Sequence, residues 1–173
     1  MTPFVIKDTP DGLLVGGYRE IAAGETQSVF LEQWANGGWT TLVDGPNCTC
    51  GLSVQALESY AGELVAGGYF PALGSTPLGN TGAWDGSRWR PLADGFAGPV
   101  SALIVHDGEL VAGGNLEGGG PGDRPKIGAM RWDGTEWRSM GNVGGTVLSL
   151  GTWNGTLIAS GSSTTCRTHS ILF

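Results

Sequence analysis

Four segments of the chain carry one short pattern, x-Gly-x-Leu-apolar-apolar-Gly-Gly in outline, at nearly even spacing. They are Asp11-Gly12-Leu13-Leu14-Val15-Gly16-Gly17, Gly62-Glu63-Leu64-Val65-Ala66-Gly67-Gly68, Gly108-Glu109-Leu110-Val111-Ala112-Gly113-Gly114 and Gly155-Thr156-Leu157-Ile158-Ala159-Ser160-Gly161. The last residues of these segments lie 51, 46 and 47 positions apart, a repeat of about 48 residues. A second signature, Trp-x4-Trp, follows the first three, from Trp34 to Trp39, Trp84 to Trp89 and Trp132 to Trp137. A third precedes the glycines: Val54-Gln55-Ala56-Leu57, Val100-Ser101-Ala102-Leu103 and Val147-Leu148-Ser149-Leu150, with Phe4-Val5-Ile6 as a looser match. Three elements in fixed order define one structural unit, and a period of 20–50 residues points to an array of such units.

Turn chemistry assigns the secondary structure of the unit. The Val-x-Ala-Leu and Leu-Val-Ala runs have strand length, and the segments between them, such as His106-Asp107-Gly108-Glu109 and Trp153-Asn154-Gly155-Thr156, carry Asp-Gly or Asn-Gly. Those dipeptides between apolar runs are a strong hairpin signal, because both turn positions need a positive φ. Asp-Gly recurs between the paired tryptophans as Asp85-Gly86 and Asp133-Gly134, making a second hairpin. Each unit therefore reads as a four-stranded antiparallel meander. No stretch keeps the 3.6-residue apolar period of a helix. The expected fold is all-β, built of β-propeller blades of four antiparallel strands. Residues 1–173 form one domain, with blades at 3–50, 54–97, 100–145 and an incomplete fourth at 147–173. With 32 glycines, 9 prolines and only 14% charged residues, composition favours short strands and tight turns, and 7 tryptophans speak against disorder.

The pattern Val-x-Ala-Leu, Gly-x-Leu-apolar-apolar-Gly-Gly and Trp-Asp-Gly-x-x-Trp resembles the propeller repeats of large bacterial extracellular and surface proteins. Those are similar in turn to kelch and galactose-oxidase-type propellers and to the repeats of a fungal cortical marker protein. The resemblance spans nearly the whole chain and is closest from Val54 to Met140. It implies the propeller fold and an extracellular or cell-surface location, and leaves function open, since such folds host unrelated activities. The Trp-x4-Trp spacing departs from kelch, where a tyrosine and a tryptophan stand further apart, so kelch partners are not carried over. The copper ligands and thioether cysteine of galactose oxidase map onto no residues here.

Charge and motifs narrow the chemistry. A net charge of −7 and the lack of a basic stripe exclude nucleic acid as a partner. No apolar run is long enough to insert in a membrane, and the start, Met1-Thr2-Pro3-Phe4, has no signal-peptide pattern. The glycine-rich run from Glu117 to Pro125 lacks the Gly-Lys-Ser/Thr of a phosphate loop, and no cofactor is expected. Asp85 and Asp133 read as turn residues rather than calcium ligands, and no metal site is expected. Cys48, Cys50 and Cys166 read as free thiols, with a bridge from Cys48 or Cys50 to Cys166 as the alternative in an oxidising compartment. His106 beside Asp107 lacks a nucleophile in any recognised motif. The pairs Glu20 with Glu25 and Glu32 with Asp44 are the only opening for glycosidase chemistry, and no catalytic residue is assigned.

A binding or scaffolding module is the expectation that remains, offering inter-strand loops to a protein or glycan partner. A lectin and a structural segment of a larger surface protein are the alternatives. Loops that vary on a repeated scaffold are where recognition concentrates. The candidate ligand residues are accordingly those just after the double glycines, Tyr18, Arg19, Tyr69, Phe70 and Asn115, together with Trp153, an aromatic residue in a hairpin turn; packing under their own loops is the alternative for Tyr18 and Phe70. The fourth unit lacks its Trp-x4-Trp hairpin, so the expected ring closes by homo-oligomerisation or within a longer propeller chain.

Overall fold

The computed structural model describes residues 1–22, 26–48, 52–116, 127–141, 145–162 and 171–172, and every regular element among them is a strand. Sheet one contains β1 (Thr2–Thr9), β2 (Gly12–Ala22), β3 (Thr26–Ala35) and β4 (Gly38–Cys48). Sheet two contains β5 (Ser53–Tyr60), β6 (Glu63–Tyr69), β9 (Thr81–Trp84) and β10 (Trp89–Pro91), with a small hairpin, β7 (Ala72–Leu73) and β8 (Thr76–Pro77), inserted after β6. Sheet three contains β11 (Val100–His106), β12 (Glu109–Leu116), β13 (Ile127–Trp132) and β14 (Trp137–Ser139). Sheet four has three strands, β15 (Thr146–Trp153), β16 (Thr156–Ser162) and β17 (Ile171–Leu172). Each is an antiparallel meander in chain order. The expected all-β fold with antiparallel four-stranded sheets is therefore present, in sheets one to three.

The hairpins follow the turn chemistry. Ala61-Gly62, Asp107-Gly108 and Asn154-Gly155 each take positive φ at both residues, 52° and 82°, 50° and 80°, and 49° and 77°, the type I′ geometry that matches strand twist. Sheet one is the exception. Thr9 pairs with Gly12 across Pro10-Asp11, and a proline cannot take the positive φ that type I′ demands.

The double glycines do two separate jobs. A Cβ on the first would strike a valine of the next sheet: Val54 Cγ1 at 2.9 Å from Gly16, Val100 Cγ1 at 2.6 Å from Gly67, and Val147 Cγ1 at 2.6 Å from Gly113. A Cβ on the second would collide with the first strand of its own sheet, at the carbonyl oxygens of Thr2, Ser53, Pro99 and Thr146 for Gly17, Gly68, Gly114 and Gly161. Opposite each second glycine the first strand shifts register, between Pro3 and Val5, Val54 and Ala56, Val100 and Ala102, and Val147 and Ser149. The first glycine admits the neighbouring sheet, and the second admits the bulge that sets its own valine.

Neighbouring sheets pack through these inner strands: β1 and β2 against β5, β5 and β6 against β11, β11 and β12 against β15. Apolar clusters fill each junction, with Leu14, Val54, Leu57 and Ala66 in the first, Val65, Leu92, Leu110 and Trp132 in the second, and Ala129, Val147 and Ala159 in the third. No packing of that extent joins β15–β17 to β1–β4 among the described residues, so these sheets stack in succession without closing a ring.

The valine–glycine lock predicts a specific coupling. Gly113→Ala should destabilise by about 1–3 kcal/mol, the usual cost of overpacking, because branched Val147 has no free volume to yield. Adding Val147→Ala should recover part of that loss, giving a negative interaction energy in a double-mutant cycle read by urea denaturation. Additive single effects would contradict the lock.

Candidate ligand-binding surfaces

Antiparallel meanders place their connections at two opposite ends of the stack. At one end lie the β2–β3, β6–β9 and β12–β13 connections, and at the other lie the first hairpins of each sheet and the Trp-x4-Trp turns. Five of the six expected ligand residues fall at the first end. Trp153 ends β15 at the second, so the structure separates it from the rest.

Those five do not share one environment. Tyr18, Tyr69 and Asn115 occupy equivalent places, and Tyr69 is the most open, at 41% exposure. Tyr18 is half-buried with its ring 5.8 Å from Phe4. The guanidinium of Arg19 donates to Glu32 Oε1 at 2.8 Å and lies 5.5 Å over the Phe30 ring, which commits both charges to sheet one. Asn115 keeps a buried side-chain oxygen with no hydrogen-bond partner among the described residues. Phe70 is fully buried and packs inward rather than standing open to a ligand. Its ring folds back over the second glycine, Cε1 standing 2.9 Å from where a Cβ of Gly68 would be, as Leu116 does over Gly114. The second residue after each double glycine is therefore a core position in sheets two and three.

The loop beyond Phe70 is tied by Asn80, itself buried. Its side-chain oxygen accepts from the Phe70 N–H at 2.7 Å, and its amide nitrogen donates to the Phe96 carbonyl at 2.9 Å. Trp153, by contrast, is 68% exposed. Cys50 and Cys166 lie outside the described residues, as do the side chain of Cys48 and Glu25, so a disulfide and the Glu20–Glu25 pairing fall outside them too. The acid pair Glu32–Asp44 loses Glu32 to Arg19. His106 Nε2 is 3.5 Å from Asp107 Oδ2. Among the described residues no three His, Cys, Asp or Glu side chains converge as a metal site would require.

The structure also contains a feature that sequence reading passed over, a groove of about 540 Å³ at the hairpin end between sheets one and two. Leu14 and Leu42 from sheet one and Leu64 and Trp84 from sheet two line it, with Thr9, Gln33 and Ser59 at the wall. Strand register makes these the counterparts of Val65, Leu92, Leu110 and Trp132, with Tyr60, Ala83 and Val105, at the junction of sheets two and three. There the same positions form a closed apolar cluster, with Leu92 and Leu110 buried and Trp132 only 6% exposed. Leu42, Leu64 and Trp84 are half-buried instead. Three small or polar residues stand where the closed junction has Tyr60, Ala83 and Val105, and Pro10 breaks the type I′ turn beside them. That departure of Thr9 and Pro10 from the repeat was the available sequence signal.

The indole hydrogen bonds tell the same story. Trp137 Nε1 donates to the Leu92 carbonyl at 3.1 Å, tying sheet three to sheet two. Its counterpart Trp89, 5.5 Å from Trp84, has a buried Nε1 with no partner among the described residues. Around the groove, Glu63 is held by Arg90 and the amide nitrogen of Gln33 donates to the Asp11 carbonyl at 2.9 Å.

Asp85, at the rim, folds its carboxylate into its own turn, accepting from Ser87 Oγ at 2.7 Å, Arg88 N–H at 2.9 Å and Ser87 N–H at 2.8 Å. Asp133 repeats the motif with Thr135 and Glu136 and adds Arg138 at 2.7 Å. This is the turn role expected of both. The Ser87 hydroxyl first, then the Arg88 and Ser87 amides, hold Asp85 well below the usual carboxylate range; the Glu136 amide and the Arg138 side chain do so for Asp133.

A scan against protein-family models finds no match to this chain, and a search of curated proteins finds none either.

A pH effect follows from the two turns. A carboxylate whose folded pKa lies below its unfolded value of about 3.9 adds stability that is complete above that value and is lost as pH falls toward the folded one. Asp85→Asn combined with Asp133→Asn should melt below the native protein at pH 7. The gap should narrow between about pH 4 and pH 2, followed by circular dichroism, and a gap independent of pH would contradict it.

Proposed function

We propose that this chain is a β-propeller-type binding or scaffolding module that does no chemistry of its own, working at the cell surface or outside the cell. Its stacked four-stranded sheets, one per repeat, support the propeller reading together with the resemblance of the repeat. The commitment of Arg19, Glu32, Glu63, Asp85 and Asp133 to structural pairs and turns supports a non-catalytic role.

One observation carries the reading. In sheets two and three one ring of each tryptophan pair is buried, Trp89 at 7% exposure and Trp132 at 6%, and the first-strand residue Leu57 is buried as well, yet sheet one leaves the same positions open: Ile6 is 65% exposed, Trp34 41% and Trp39 54%. A face built of aromatic and aliphatic side chains on a soluble scaffold is a surface made to be covered. Its internal equivalents are all covered by another sheet of the same repeat. The partner that fits is therefore a like sheet, supplied by a second copy of the chain. A structural segment of a longer surface protein is the second reading, since further repeats would cover the face in the same way.

Size-exclusion chromatography with light scattering tests the assembly. The expected mass is twice, or a higher multiple of, the formula mass of about 17.8 kDa, and Trp39→Glu should return the species to monomer without lowering its strand signal. A native protein that stays a stable monomer at that mass, with Trp34 and Trp39 still open to a fluorescence quencher, would overturn self-closure.

A further inference from the structure

We propose that the groove between sheets one and two is a carbohydrate site that takes a neutral oligosaccharide, with the half-buried Trp84 as stacking platform and Thr9, Gln33 and Ser59 along its polar edge. The inference rests on the binding-module reading and names the ligand of a site that reading leaves unassigned.

The groove exists because a repeated core has been opened at one junction and left closed at the next. Between sheets two and three, Tyr60 and Val105 fill the space over Val65, Leu110 and Trp132. Between sheets one and two, Thr9 and Ser59 take those two positions, and Gln33 takes the place of Ala83. Thr9 and Ser59 give up apolar volume, and all three residues bring hydrogen-bonding groups to the exposed apolar wall. Left empty, a core opened in this way forfeits the contacts that its lining would otherwise make. A volume of about 540 Å³ falls in the range of small-molecule sites, which combine an apolar lining with a few placed polar groups.

The polar groups select the ligand class. Thr9 Oγ donates to the Gly12 carbonyl at 2.7 Å, so its lone pairs are left to accept. The Gln33 amide oxygen and the Ser59 hydroxyl have no partner among the described residues, the amide nitrogen of Gln33 being used on Asp11. This is a rim of acceptors with one hydroxyl donor beside an indole face. A pyranose ring matches both halves: its C–H face packs on an aromatic ring, and its equatorial hydroxyls donate to such acceptors. Anionic ligands are disfavoured by a chain of net charge −7. A cationic side chain would seek carboxylates, but Glu63 is paired with Arg90 and Asp85 is bound into its own turn. Asp11 alone, exposed at the rim, remains unpaired among the described residues.

The closed junction supplies the decisive variant. Thr9→Tyr with Ser59→Val copies the filling of the next junction, and should remove the groove while keeping or raising the melting temperature. Cellohexaose, maltohexaose and chitohexaose would each be titrated into the full chain, followed by tryptophan fluorescence and calorimetry. Saturable binding of at least one, weakened tenfold or more in the filled variant, is expected. Should that variant fail to fold, Gln33→Ala, which copies Ala83, should weaken binding several-fold. No binding of any of the three sugars, or binding that neither variant alters, would overturn the proposal. Binding of an oligolysine peptide that the filled variant abolishes would also overturn the sugar assignment, while leaving the binding-module reading standing. Failure of that reading would show instead in the light-scattering mass.

Discussion

Every junction between neighbouring sheets turns on one valine of a first strand lying in space that a glycine leaves empty in the sheet before it. Val54 over Gly16, Val100 over Gly67 and Val147 over Gly113 are the same contact three times. A methyl group on the glycine would remove the space, and a smaller residue than valine would leave it unfilled. The second glycine of each pair lets the partner strand bulge at the valine itself, so sheet geometry and stacking geometry are fixed by adjacent residues. Two glycines in sequence and one valine 33 to 38 residues after the first of them thus specify how one repeat sits on the next. Hydrophobic area holds the stack together, but this lock sets its register.

A scaffold whose junctions are locked at the inner strands can tolerate change at its ends. The junctions of sheets one with two and two with three share the same lock and the same four-residue apolar wall. They differ where the hairpins meet, in Thr9 against Tyr60 and Ser59 against Val105. The cost of opening that end is local: Leu42, Leu64 and Trp84 become half-exposed and the Trp89 indole loses the carbonyl that Trp137 finds in Leu92. The inner-strand contacts of the same junction are untouched. The lock is therefore confined to the inner strands while the hairpin ends of the same strands vary, as expected where loops and turns change on a repeated frame.

Local chemistry made much of this legible. Positive φ at Asp107-Gly108 and Asn154-Gly155 is written in the dipeptides, and the side-chain caps of Asp85 and Asp133 follow from Asp at the head of a turn. The pairing of Trp84 with Trp89 and of Trp132 with Trp137 across hairpins follows from their spacing. The burial of Phe70 was legible only as one of two alternatives, because its inward course depends on the bulge beside Gly68, a feature of two strands rather than one. The exposure of Trp34 and Trp39 was hidden for a related reason: they match Trp84 and Trp89 in sequence and differ in that no sheet among the described residues packs on them. The groove needed a comparison of equivalent positions two at a time, Thr9 together with Ser59, since either change alone reads as an ordinary strand residue.

The two open faces differ from the internal ones in the lock as well as in exposure. Strand register puts Pro3 of sheet one where the other sheets have Val54, Val100 and Val147, and Ser160 of sheet four where the others have Gly16, Gly67 and Gly113. Both Pro3 and Ser160 are exposed. The valine and the glycine are thus missing from exactly the two faces that the proposed assembly brings together. A serine side chain occupies the space a knob would need, and proline offers a shorter, rigid ring in place of a branched methyl pair. Another sheet covering the sheet-one face would be held there by area, through Ile6, Trp34 and Trp39, without the shape-specified register that the valine–glycine lock gives the internal junctions.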